Sequence, residues 1–582
     1  MSKTVSVRLF GDAAVLAEMG DLTAAHRLAG ALRAHFVDEQ AVDDVVVGFG
    51  TVTVLVDLRF ADPDALLQPV LAHAEKAARP GAATSPQRVE AAEPFAVPVC
   101  FDGADLFELA GRLHMDPAEL RAVLTDAELQ VAFVGFSPGF AYLVGLPSAL
   151  AQVGRRERPR AIVPAGSVAV GGGFAGIYPR PSPGGWFLVG RTDAVLFDAR
   201  HPPYARLEPG QRVRFVAVEE VGASAAPVRR PLRAPGGRSL VVEEAGTCTL
   251  VEDGGRRRVA GVGIPGAGAA DVVDLRAANR LVGNAELEAA LEITLRGPRL
   301  RAAADMHVAV VARAGRGTAL SMTVDGREAP VGQPVPVGAG QLLEVGEVGD
   351  LVRAVLAVSG GLQVEPLFGS RSSDLLSGLG SGALRRGDEL AVGPSGRPKG
   401  RLAMPSLSSD PAVVRVLAGP DQPRPSSADR SLKWLTTGRW RTAPDSNRIG
   451  TRFVADEDAA HDDSASRDIE DHSGPGRRHA HLAPGELPSR DAPGPSMGMV
   501  RGAVQLPPAG ELVVLGPDHP TVGGYRVPAV VISADLHHLA HLAPGAVVRF
   551  ELVDHGEAQR ARRRLETALS RAVLGWFPTR AG

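Results

Sequence analysis

The sequence between residues 131 and 192 contains three apolar stretches, VAFVGFSPGFAYLVGL (131–146), PRAIVPAGSVAV (159–170) and FAGIYPRPSPGGWFLVGRT (174–192). Each stretch is interrupted every few residues by glycine or proline. Both residues disfavour the interior of a helix and favour tight turns. The pattern therefore predicts short strands joined by tight connections rather than long helices.

The same composition extends along all 582 residues, which include 68 glycines and 46 prolines and are 45% hydrophobic. A chain this apolar is not disordered throughout, and its many helix breakers exclude a mostly helical bundle. Its length is several times the common domain size and predicts three or four domains. The predicted fold class is mainly β with α+β elements.

The charge and the cysteine content exclude several classes of protein. The formal net charge is −3, from 63 basic and 66 acidic residues mixed along the chain, so no nucleic acid partner is expected. Cys100 and Cys248 are the only cysteines, which excludes a disulfide framework and a cysteine zinc site. The longest uncharged stretch, residues 161–179, is interrupted by glycines and prolines, and the N-terminus lacks a signal-peptide pattern. We expect a cytoplasmic protein with no membrane partner.

Segments without apolar periodicity divide the chain near residues 79–93, 221–237 and 393–410. The segment at 221–237 separates what we call the first half of the chain from the second half. The predicted units are an N-terminal α/β domain (1–85), a second domain of the first half (93–220), two domains of the second half (236–400 and 411–555) and an arginine-rich tail forming a surface helix (556–582). An acidic segment at about 455–495 is predicted to be a disordered insertion in the last domain.

Local patterns predict individual elements inside these units. Two strands are expected at Val5–Leu9 and Val45–Leu58, around a helix at Leu22–Phe36. A second helical pattern runs over Asp271–Glu292, and Asp271 is its expected N-cap.

Two motifs of known chemistry lack a group that the chemistry requires. Residues 135–139 match the G-x-S-x-G nucleophile elbow, yet Pro138 follows the serine and has no N–H for an oxyanion hole. Residues 261–266 match G-x-G-x-x-G, but GGRRRVA before them is a poor buried strand, and the acidic residue required further on is missing. Neither a hydrolase nucleophile nor a dinucleotide site is predicted.

Three histidines near the C-terminus, His537, His538 and His541, include a pair at i, i+4 that suits a metal. No third ligand is apparent in the sequence, so we prefer the polar face of a short surface helix. No residue is therefore assigned as a metal ligand.

The three stretches of residues 131–192, in this order, resemble the family of the B-type subunit of 5-oxoprolinase, which includes the histidine-kinase inhibitor KipI and allophanate hydrolase subunit 1. Motifs of the second half are similar to the family of the C-type 5-oxoprolinase subunit, also called KipA or biotin-dependent carboxyltransferase-like: LVEDGGR, GAADVVDLRAANRLVGN, LAVSGG, GSRSSDLL, NRIGTR, RGAVQLPP and TVGGYRVPAVVISADL. The resemblance implies a fusion of the B-type and C-type subunits. It also implies a small N-terminal α/β domain followed by three cyclophilin-like β-barrel domains.

The resemblance implies a hydrolase that opens the cyclic amide of 5-oxo-L-proline to L-glutamate at the expense of ATP. It further implies ATP with Mg²⁺ as cofactors, a partner that is the separate A-type subunit of 5-oxoprolinase, and assembly of the chain with itself. Activation of a lactam at its carbonyl oxygen needs cations and N–H groups directed at phosphate and at the developing oxyanion.

The residues that fall inside the family motifs form the candidate site. The candidates for catalysis are Ser137, Tyr142, Arg160, Asp253, Arg256, Asp271 and Asp518. The candidates for binding substrate or nucleotide are Pro138, Gly139, Gly184, Gly185, Trp186, Arg191, Arg371, Ser372, Asp374, Arg448, Gln505, Thr521, Gly523, Gly524 and Tyr525. Each candidate could instead have a purely structural role, because motif glycines often form turns, aspartate–arginine pairs often hold two segments together and a tryptophan often fills a core.

The second half departs from the family pattern at four places. They are Glu252 in place of the glutamine of QDLGR, a shortened stretch 380–384 before Gly387 and Asp388, TVGGYR (521–526) in place of TTGGYP, and SNR (446–448) in place of SDR. Reduced activity or a shifted substrate is therefore an open alternative.

Two other functions stay open at this point. One is biotin-dependent carboxyl transfer to urea or a related amide, because the carboxyltransferase region of urea carboxylase resembles both halves. The chain has no biotin acceptor of the AMKM or VMKM type, so carboxybiotin would arrive on another protein. The other is KipI-like inhibition of a sensor histidine kinase, which rests on the first 220 residues.

Overall fold

The fold was analysed in a computed structural model. The structure describes residues 5–79, 93–222, 232–234, 236–312, 320–349, 351–394, 398, 401–402, 412–420, 428–456, 496–507, 510–571 and 573–574. The predicted acidic insertion and most of the three predicted linkers lie outside these residues. In the described part the chain is mainly β, as predicted.

The N-terminal unit is an antiparallel four-stranded sheet covered by two helices. The strands are Ser6–Phe10, Ala14–Glu18, Thr51–Val56 and Val42–Val47 in spatial order, and the helices are Leu22–His35 and Asp64–Ala77. The first helix confirms the predicted one, and the Asp21 carboxylate caps it by accepting the Ala24 N–H at 2.7 Å. The single strand expected over residues 45–58 is wrong, because a turn at residues 48–50, with Gly50 at φ +72°, folds it into a hairpin.

The rest of the first half is a seven-stranded sheet with short helices. In spatial order its strands are Phe187–Arg191, Ser167–Gly171, Phe174–Ile177, Ala141–Val144, Leu129–Val134, Arg212–Ala217 and Phe95–Val99. The strands Arg160–Val163 and Ser182–Gly184 pair beside it, and the helices are Leu106–Arg112, Pro117–Asp126 and Ser148–Ala151. The stretches quoted at the outset contain these short strands, and most of their glycines and prolines lie in the connections between them.

The second half begins with two sheets that share one hydrophobic core. The six-stranded sheet contains Arg327–Glu328, Met322–Val324, Leu342–Val345, Arg299–Ala302, Ser239–Glu244 and Glu389–Ala391. The five-stranded sheet contains Cys248–Glu252, Ala290–Thr294, Arg353–Val358, Met306–Val311 and Val335–Val337. A 3₁₀ turn, Ala260–Val262, and the helix Val272–Leu281 lie between strands of the second sheet.

The helix expected over Asp271–Glu292 is half as long as predicted. Asp271 is its N-cap, as expected, and accepts the Asp274 N–H at 2.9 Å. The helix ends at Leu281 because Gly283 adopts φ +79°, which terminates helices, and Ala290–Thr294 is a buried strand.

The last unit contains a closed barrel. Its strands in spatial order are Val413–Ala418, Arg526–Val531, Ala503–Leu506, Leu512–Leu515, Gly450–Ala455, Arg439–Thr442 and Val547–Leu552. Its helices are Ala428–Thr437, Leu536–Leu539 and, in the predicted tail, His555–Arg571, with a 3₁₀ turn at Ser533–Asp535. Two short strand pairs, Met497–Gly498 with Val522–Gly523 and Arg401–Leu402 with Val573–Leu574, complete the sheets. Barrel-like sheets are thus present, while the expected number of three barrel domains stays a prediction.

The N-terminal sheet packs directly against the closed barrel. Phe10 and Leu16 share a buried apolar cluster with Val527 and Val530 of the barrel. Beside this cluster the Asp12 carboxylate accepts hydrogen bonds from the Ser533 N–H and hydroxyl at 2.9 and 2.8 Å. The N-terminal unit and the last unit of the chain therefore share one apolar core. Across the described ranges, no helix combines the length and the apolarity needed to cross a membrane.

Candidate active site

The motif loop of the first half lies at the junction of the two halves. In the SPGF turn the Phe140 N–H donates to the Ser137 carbonyl at 3.0 Å, and the Gly139 N–H donates across the junction to the Val262 carbonyl at 3.4 Å. A Cβ at Gly135 would lie 2.6 Å from Cβ of Val522 in the TVGGYR motif. Two motif loops and the segment at Val262 therefore meet here, and glycine at position 135 allows the close approach.

The two motifs rejected as catalytic sites also lack the local structure that such sites have. The turn at residues 135–139 leads into the strand Ala141–Val144, whereas a nucleophile elbow leads into a helix. Residues 261–266 follow no strand directly, and the Gly261 N–H donates to the Asp44 carboxylate of the N-terminal sheet at 2.9 Å. This segment serves as a contact between the halves.

Asp253 orders a loop of the second half. Its Oδ1 accepts hydrogen bonds from the Ser370 hydroxyl at 2.6 Å, the Ser372 hydroxyl at 2.6 Å and the Gly255 N–H at 2.8 Å. Its Oδ2 accepts the Arg371 N–H at 2.6 Å. Four donors on one buried carboxylate tie the turn after Cys248–Glu252 to residues 370–372.

Arg256 lies beside this loop and is nearly fully buried, with 4% of its surface exposed. Its backbone N–H donates to the Gly266 carbonyl at 2.6 Å, and its Nη2 donates to the Ser372 carbonyl. Its Nε and Nη1 are buried and have no hydrogen-bond partner. Burial lowers the pKa of Arg256, against the opposing influence of Asp374 and Glu252.

Arg448 is the centre of a buried charge cluster. It forms a bidentate pair with Asp518, Nε to Oδ2 and Nη2 to Oδ1, both at 2.8 Å. Its Nη1 donates to Glu292 at 2.6 Å, its Nη2 donates to the Gly268 carbonyl at 2.8 Å, and the Glu252 carboxyl lies 3.4 Å from Nη2. One guanidinium thus joins the five-stranded sheet to the barrel.

The carboxyl groups around Arg448 differ in their ionisation. Burial raises the pKa of Glu252 well above its usual range, although Arg448 opposes the shift, and burial likewise raises the pKa of Asp518 to about 6. Burial favours the neutral form of Glu292 too, but Arg448 and Arg353 outweigh it and lower its pKa. Neither oxygen of Glu252 has a hydrogen bond of ordinary geometry. Burial therefore favours the neutral form of Glu252, and Arg448 opposes it.

A cleft opens between the five-stranded sheet and the barrel, with an empty volume of about 320 Å³ that includes open solvent. Arg353, Arg448 and Arg501 line it together with the backbone of Gly516. Arg501 donates to the carbonyls of Ala269 and Ala270, and burial lowers its pKa to about 10.

The histidine expectation needs correction. The helix Leu536–Leu539 ends before His541, so no i, i+4 pair forms on it, and His537 and His538 are buried instead of facing solvent. His541 Nε2 lies 2.8 Å from Asp271 and 3.5 Å from Asp274, and these three side chains place ligand atoms within 4.8 Å of one another. Burial lowers the pKa of His541, but its hydrogen bonds to both aspartates dominate and raise it to about 9. The group is an ion-paired imidazolium.

Several candidates of the first half serve structural contacts away from this cluster. Arg160 pairs with Asp105 at 2.6 Å, and Arg191 pairs with Asp102 at 2.7 Å, so both clamp the segment before the helix Leu106–Arg112. Trp186 and Tyr142 belong to an aromatic cluster, and burial raises the pKa of the Tyr142 hydroxyl. These positions match their structural alternative.

The remaining candidates are turn and loop residues. The Arg371 side chain donates to the Val364 carbonyl at 3.1 Å, and Gln505 donates to the Met499 sulfur at 3.3 Å. Asp374 accepts the Leu376 N–H at 2.9 Å, the Ser377 N–H at 3.1 Å and the Ser377 hydroxyl. The others lie in the motif turns or in the short strands beside them, with Tyr525 37% exposed: Pro138, Gly139, Gly184, Gly185, Thr521, Gly523, Gly524 and Tyr525.

Sequence reasoning missed four charged residues of this region: Arg180, Glu292, Arg353 and Arg501. Glu292 carried a signal, since it is the single charge in the otherwise apolar strand ALEIT. Arg180 lies in the YPRPSPGG motif but was not separated from its neighbours. A Cβ at Gly378 would overlap its Nη2, so Arg180 reaches from the first half onto the backbone of the second.

Comparisons with known proteins agree with this two-part architecture. Residues 5–207 match the family model for the carboxyltransferase domain, subdomain C and D, and residues 262–552 match that for subdomain A and B. The chain is 31% identical to the C-type 5-oxoprolinase subunit of Escherichia coli (strain K12) over 326 residues, 56% of this chain and 94% of that protein. It is 32% identical to the B-type 5-oxoprolinase subunit of Escherichia coli O157:H7 over 217 residues, 36% of this chain and 95% of that protein.

A solved structure covers both halves at once. The crystal structure of TTHA0988 superposes with a TM-score of 0.75 at 31% identity, over 94% of this chain and 100% of that one. Urea amidolyase of Saccharomyces cerevisiae is 28% identical over 302 residues, 50% of this chain and 15% of that protein. The chain therefore belongs to the carboxyltransferase domain family. Within it, the first half is a homologue of the B-type 5-oxoprolinase subunit, and the second half is a homologue of the C-type subunit, joined in one polypeptide.

Proposed function

We propose that this protein is a component of an ATP-dependent 5-oxoprolinase, which opens 5-oxo-L-proline to L-glutamate together with a separate A-type subunit. The observation that carries the proposal is the meeting of B-type and C-type motif loops at one junction, where a Cβ at Gly135 would lie 2.6 Å from Cβ of Val522 in the TVGGYR motif. A cleft or junction between units is the usual place for a ligand site.

The charges at the junction suit the chemistry of lactam opening. Attack on an amide carbonyl is assisted by donors aimed at the oxygen where negative charge develops. Arg256 presents two buried N–H groups without partners, and Glu252, whose pKa is raised by burial, lies in the neighbouring charge cluster. In the overall reaction one water opens the ring and a second accepts the phosphoryl group of ATP.

ATP and Mg²⁺ differ in how they fit the described residues. The free N–H groups of Arg256 are a donor set that suits a phosphate oxygen. A Mg²⁺ ion needs carboxylate oxygens that are free to coordinate it. Asp253, Asp374 and Asp518 are already engaged by hydrogen-bond donors. These carboxylates do not form a Mg²⁺ site in this arrangement, and we assign no step to the ion.

The test is a coupled assay with purified protein, a cognate A-type subunit, 5-oxo-L-proline and ATP. Glutamate and ADP should appear together, and only when both proteins are present. Asp253→Asn, which weakens the acceptor of four hydrogen bonds, should lower turnover at least tenfold, while the surface variant Arg299→Gln should not. Absence of glutamate with several A-type partners would refute the proposal.

Carboxyl transfer to urea or a related amide is the second candidate, favoured by the carboxyltransferase family match and the similarity to urea amidolyase. It predicts that a carboxybiotin-bearing protein donates its carboxyl group to urea in the presence of this chain. Loss of label from ¹⁴C-carboxybiotin only when urea and this chain are both added would support it over the first proposal.

A further inference from the structure

A histidine of the last unit and two aspartates of the preceding unit converge on one point. His541 follows the helix Leu536–Leu539, while Asp271 is the N-cap of the helix Val272–Leu281 and Asp274 lies in its first turn. Nε2 of His541 lies 2.8 Å from Oδ2 of Asp271 and 3.5 Å from Oδ2 of Asp274. We call these three side chains the His541 cluster. Among the described residues, no other group of three or more histidine, cysteine, aspartate or glutamate side chains brings its ligand atoms this close together.

The spacing of the three ligand atoms suits a metal ion. Oδ1 of Asp271 accepts the Asp274 N–H at 2.9 Å, which leaves its Oδ2 directed at His541. Asp271 and Asp274 are three residues apart at the start of one helix, so both side chains lie on the same face. Three ligand atoms that each lie about 2.0–2.2 Å from a Zn²⁺ ion are about 3–3.5 Å from one another. The observed separations of 2.8 and 3.5 Å therefore need only a small adjustment to receive an ion.

A proton satisfies this arrangement only in part. Without an ion, the Nε2–H of His541 makes one good hydrogen bond, to Asp271, whereas Asp274 lies beyond the usual hydrogen-bond distance from it. The His541 side chain is only 8% exposed, and its Nδ1 is buried without a hydrogen-bond partner among the described residues. An N–H of a charged ring that lacks an acceptor is costly to bury. A divalent cation that replaces the Nε2 proton contacts both carboxylates at once and is bound by a neutral imidazole.

Arg501 is the nearby charge that opposes a cation. It interacts electrostatically with Asp271, but its Nη1 and Nη2 donate to the backbone carbonyls of Ala269 and Ala270. The guanidinium is therefore directed at the backbone, while Oδ2 of Asp271 faces His541. Its positive charge offsets part of the attraction of the two aspartates for an ion, so we expect a moderate affinity.

The His541 cluster borders the cleft between the five-stranded sheet and the barrel. Ala270 and Ala540 line this cleft, and each directly precedes a residue of the cluster. The cleft has an empty volume of about 320 Å³ that includes open solvent, so an ion can reach the cluster from solution. Three protein ligands beside an open cleft leave a coordination position for water or for a ligand, as in exchangeable metal sites.

We propose that Asp271, Asp274 and His541 form a binding site for a divalent transition-metal ion such as Zn²⁺ or Mn²⁺. An imidazole nitrogen beside two carboxylates favours these ions over Mg²⁺, which is bound mainly through oxygen ligands. The bound ion joins the first and the last unit of the second half. The site uses none of the residues on which the proposed function rests, so this inference goes beyond that function and does not depend on it.

The experiment measures ion binding to the full chain by calorimetry, after bound metal has been stripped with a chelator and the chelator removed. Zn²⁺ and Mn²⁺ should each occupy a site that is weakened at least about tenfold in His541→Gln and in Asp274→Asn, because each variant lacks one of three ligands. Mg²⁺ is the control ion and should not bind at this site. His201→Gln is the matched control variant, since the exposed His201 pairs with a single carboxylate, that of Asp198, and it should bind as the wild type does.

Comparison with the variants separates this site from other metal-binding groups of the chain. Histidines and carboxylates elsewhere, among them those at residues 456–481, can bind the same ions, but the two substitutions leave them unchanged. Thermal unfolding is the second readout. An ion that joins two units should raise the unfolding midpoint of the wild type and of His201→Gln, and should not raise that of His541→Gln or Asp274→Asn. Asp274→Asn keeps the size of the side chain, so it serves as the test if His541→Gln does not fold.

Failure of this inference and failure of the proposed function look different. If a folded cluster variant binds Zn²⁺ and Mn²⁺ as the wild type does, or if the wild type binds neither ion, the metal site is overturned even when the coupled assay releases glutamate. If the variants lose ion binding and the coupled assay stays silent, the metal site stands and the 5-oxoprolinase proposal falls.

Discussion

A single side chain, Arg448, interacts with three buried carboxyl groups and opposes the rise that burial causes in the pKa of each. Its pairs with Asp518 and Glu292 compensate the burial of both carboxylates, and Glu252, which lies further away, keeps a raised pKa. A buried ion pair contributes little net stability compared with apolar packing, but removing one partner leaves an uncompensated charge. The effect of removing Arg448 on the free energy of unfolding therefore reports mainly the cost of leaving Asp518 and Glu292 buried without a partner.

Arg448→Met should destabilise the protein by about 3–5 kcal/mol at pH 8, because it leaves Asp518 and Glu292 unpaired in the core. The loss should be smaller at pH 5, where unpaired carboxyl groups can take up protons. Urea unfolding at both pH values measures it. Arg299→Met, a surface pair with Glu244, is the control and should cost under about 1 kcal/mol. Equal losses for the two variants would contradict the central role of Arg448.

His541 should make stability depend on pH in a defined window. Its pKa is about 9 in the folded protein, because Asp271 and Asp274 favour the imidazolium more than burial disfavours it, against 6.5 in the unfolded chain. The folded state therefore binds the proton more tightly. The resulting stability is fully present below about pH 6.5 and is lost as the pH rises through 9, by roughly 3 kcal/mol.

Urea unfolding of the wild type and of His541→Gln, each at pH 6 and pH 9, measures this effect. The variant should lose most of the decrease, while the exposed His201→Gln should keep it. Arg501, whose pKa is about 10, also interacts electrostatically with Asp271. The wild type and the variant are therefore compared in the same buffer at constant ionic strength, so that the contribution of Arg501 is present in both. A variant with the same decrease as the wild type would show that another group titrates in this window.

At the scale of secondary-structure elements, sequence patterns predicted where helices begin better than where they end. The helix Leu22–His35 and the cap at Asp271 were predictable because caps and apolar spacing are local signals. The second helix was predicted too long, since the apolar residues beyond Gly283 suit a buried strand as well as a helix. The hairpin turn at residues 48–50 was missed because Gly48 is required by a contact with a distant segment, which no local pattern reveals.

That contact makes Gly48 a test of the packing between the N-terminal sheet and the short strand Met497–Gly498 of the last unit. A Cβ at position 48 would lie 2.7 Å from Cα of Met497 and would overlap the Ser496 carbonyl. Gly48→Ala should therefore cost more than about 2 kcal/mol, because backbone and not a flexible side chain must move. Gly111→Ala is the matched control, since that helical position has open space and alanine favours helix by about 1 kcal/mol. Thermal unfolding compares the two, and similar effects would mean that the hairpin is not held against Met497.

The tail helix His555–Arg571 is also more than the surface helix expected from its arginines. Ala558 and Ala561 are buried against Ile532 and Ala534, while Arg562 pairs with Asp62 of the N-terminal unit. Near its other end Glu566 forms a bidentate pair with Arg276 of the second half. The helix thus contacts both the N-terminal unit and the first unit of the second half, which its own sequence does not reveal.

At the scale of the whole molecule, the candidate site depends on the fold more than on any motif. The family resemblance identified the loops around Ser137 and Val522, but no local pattern places residues so far apart in sequence side by side. The unpartnered side-chain nitrogens of Arg256 and the contact of Arg180 with the backbone at Gly378 likewise follow from tertiary structure. Spacing alone ranked all motif arginines equally, and only the structure shows which of them are already paired.

The two halves should remain together without the covalent link between them. Relatives with the two sets of motifs exist as separate B-type and C-type proteins, and here the N-terminal sheet shares an apolar cluster with the barrel through Phe10, Leu16 and Val530. Burying side chains of this size contributes about 1.5–3 kcal/mol each. Residues 1–222 and 232–582, coexpressed as two chains, should therefore copurify and elute as the intact protein does. Val530→Asp, which places a charge in the shared cluster, should separate them, and separate elution of the unmutated pair would show that the linker is what holds the halves together.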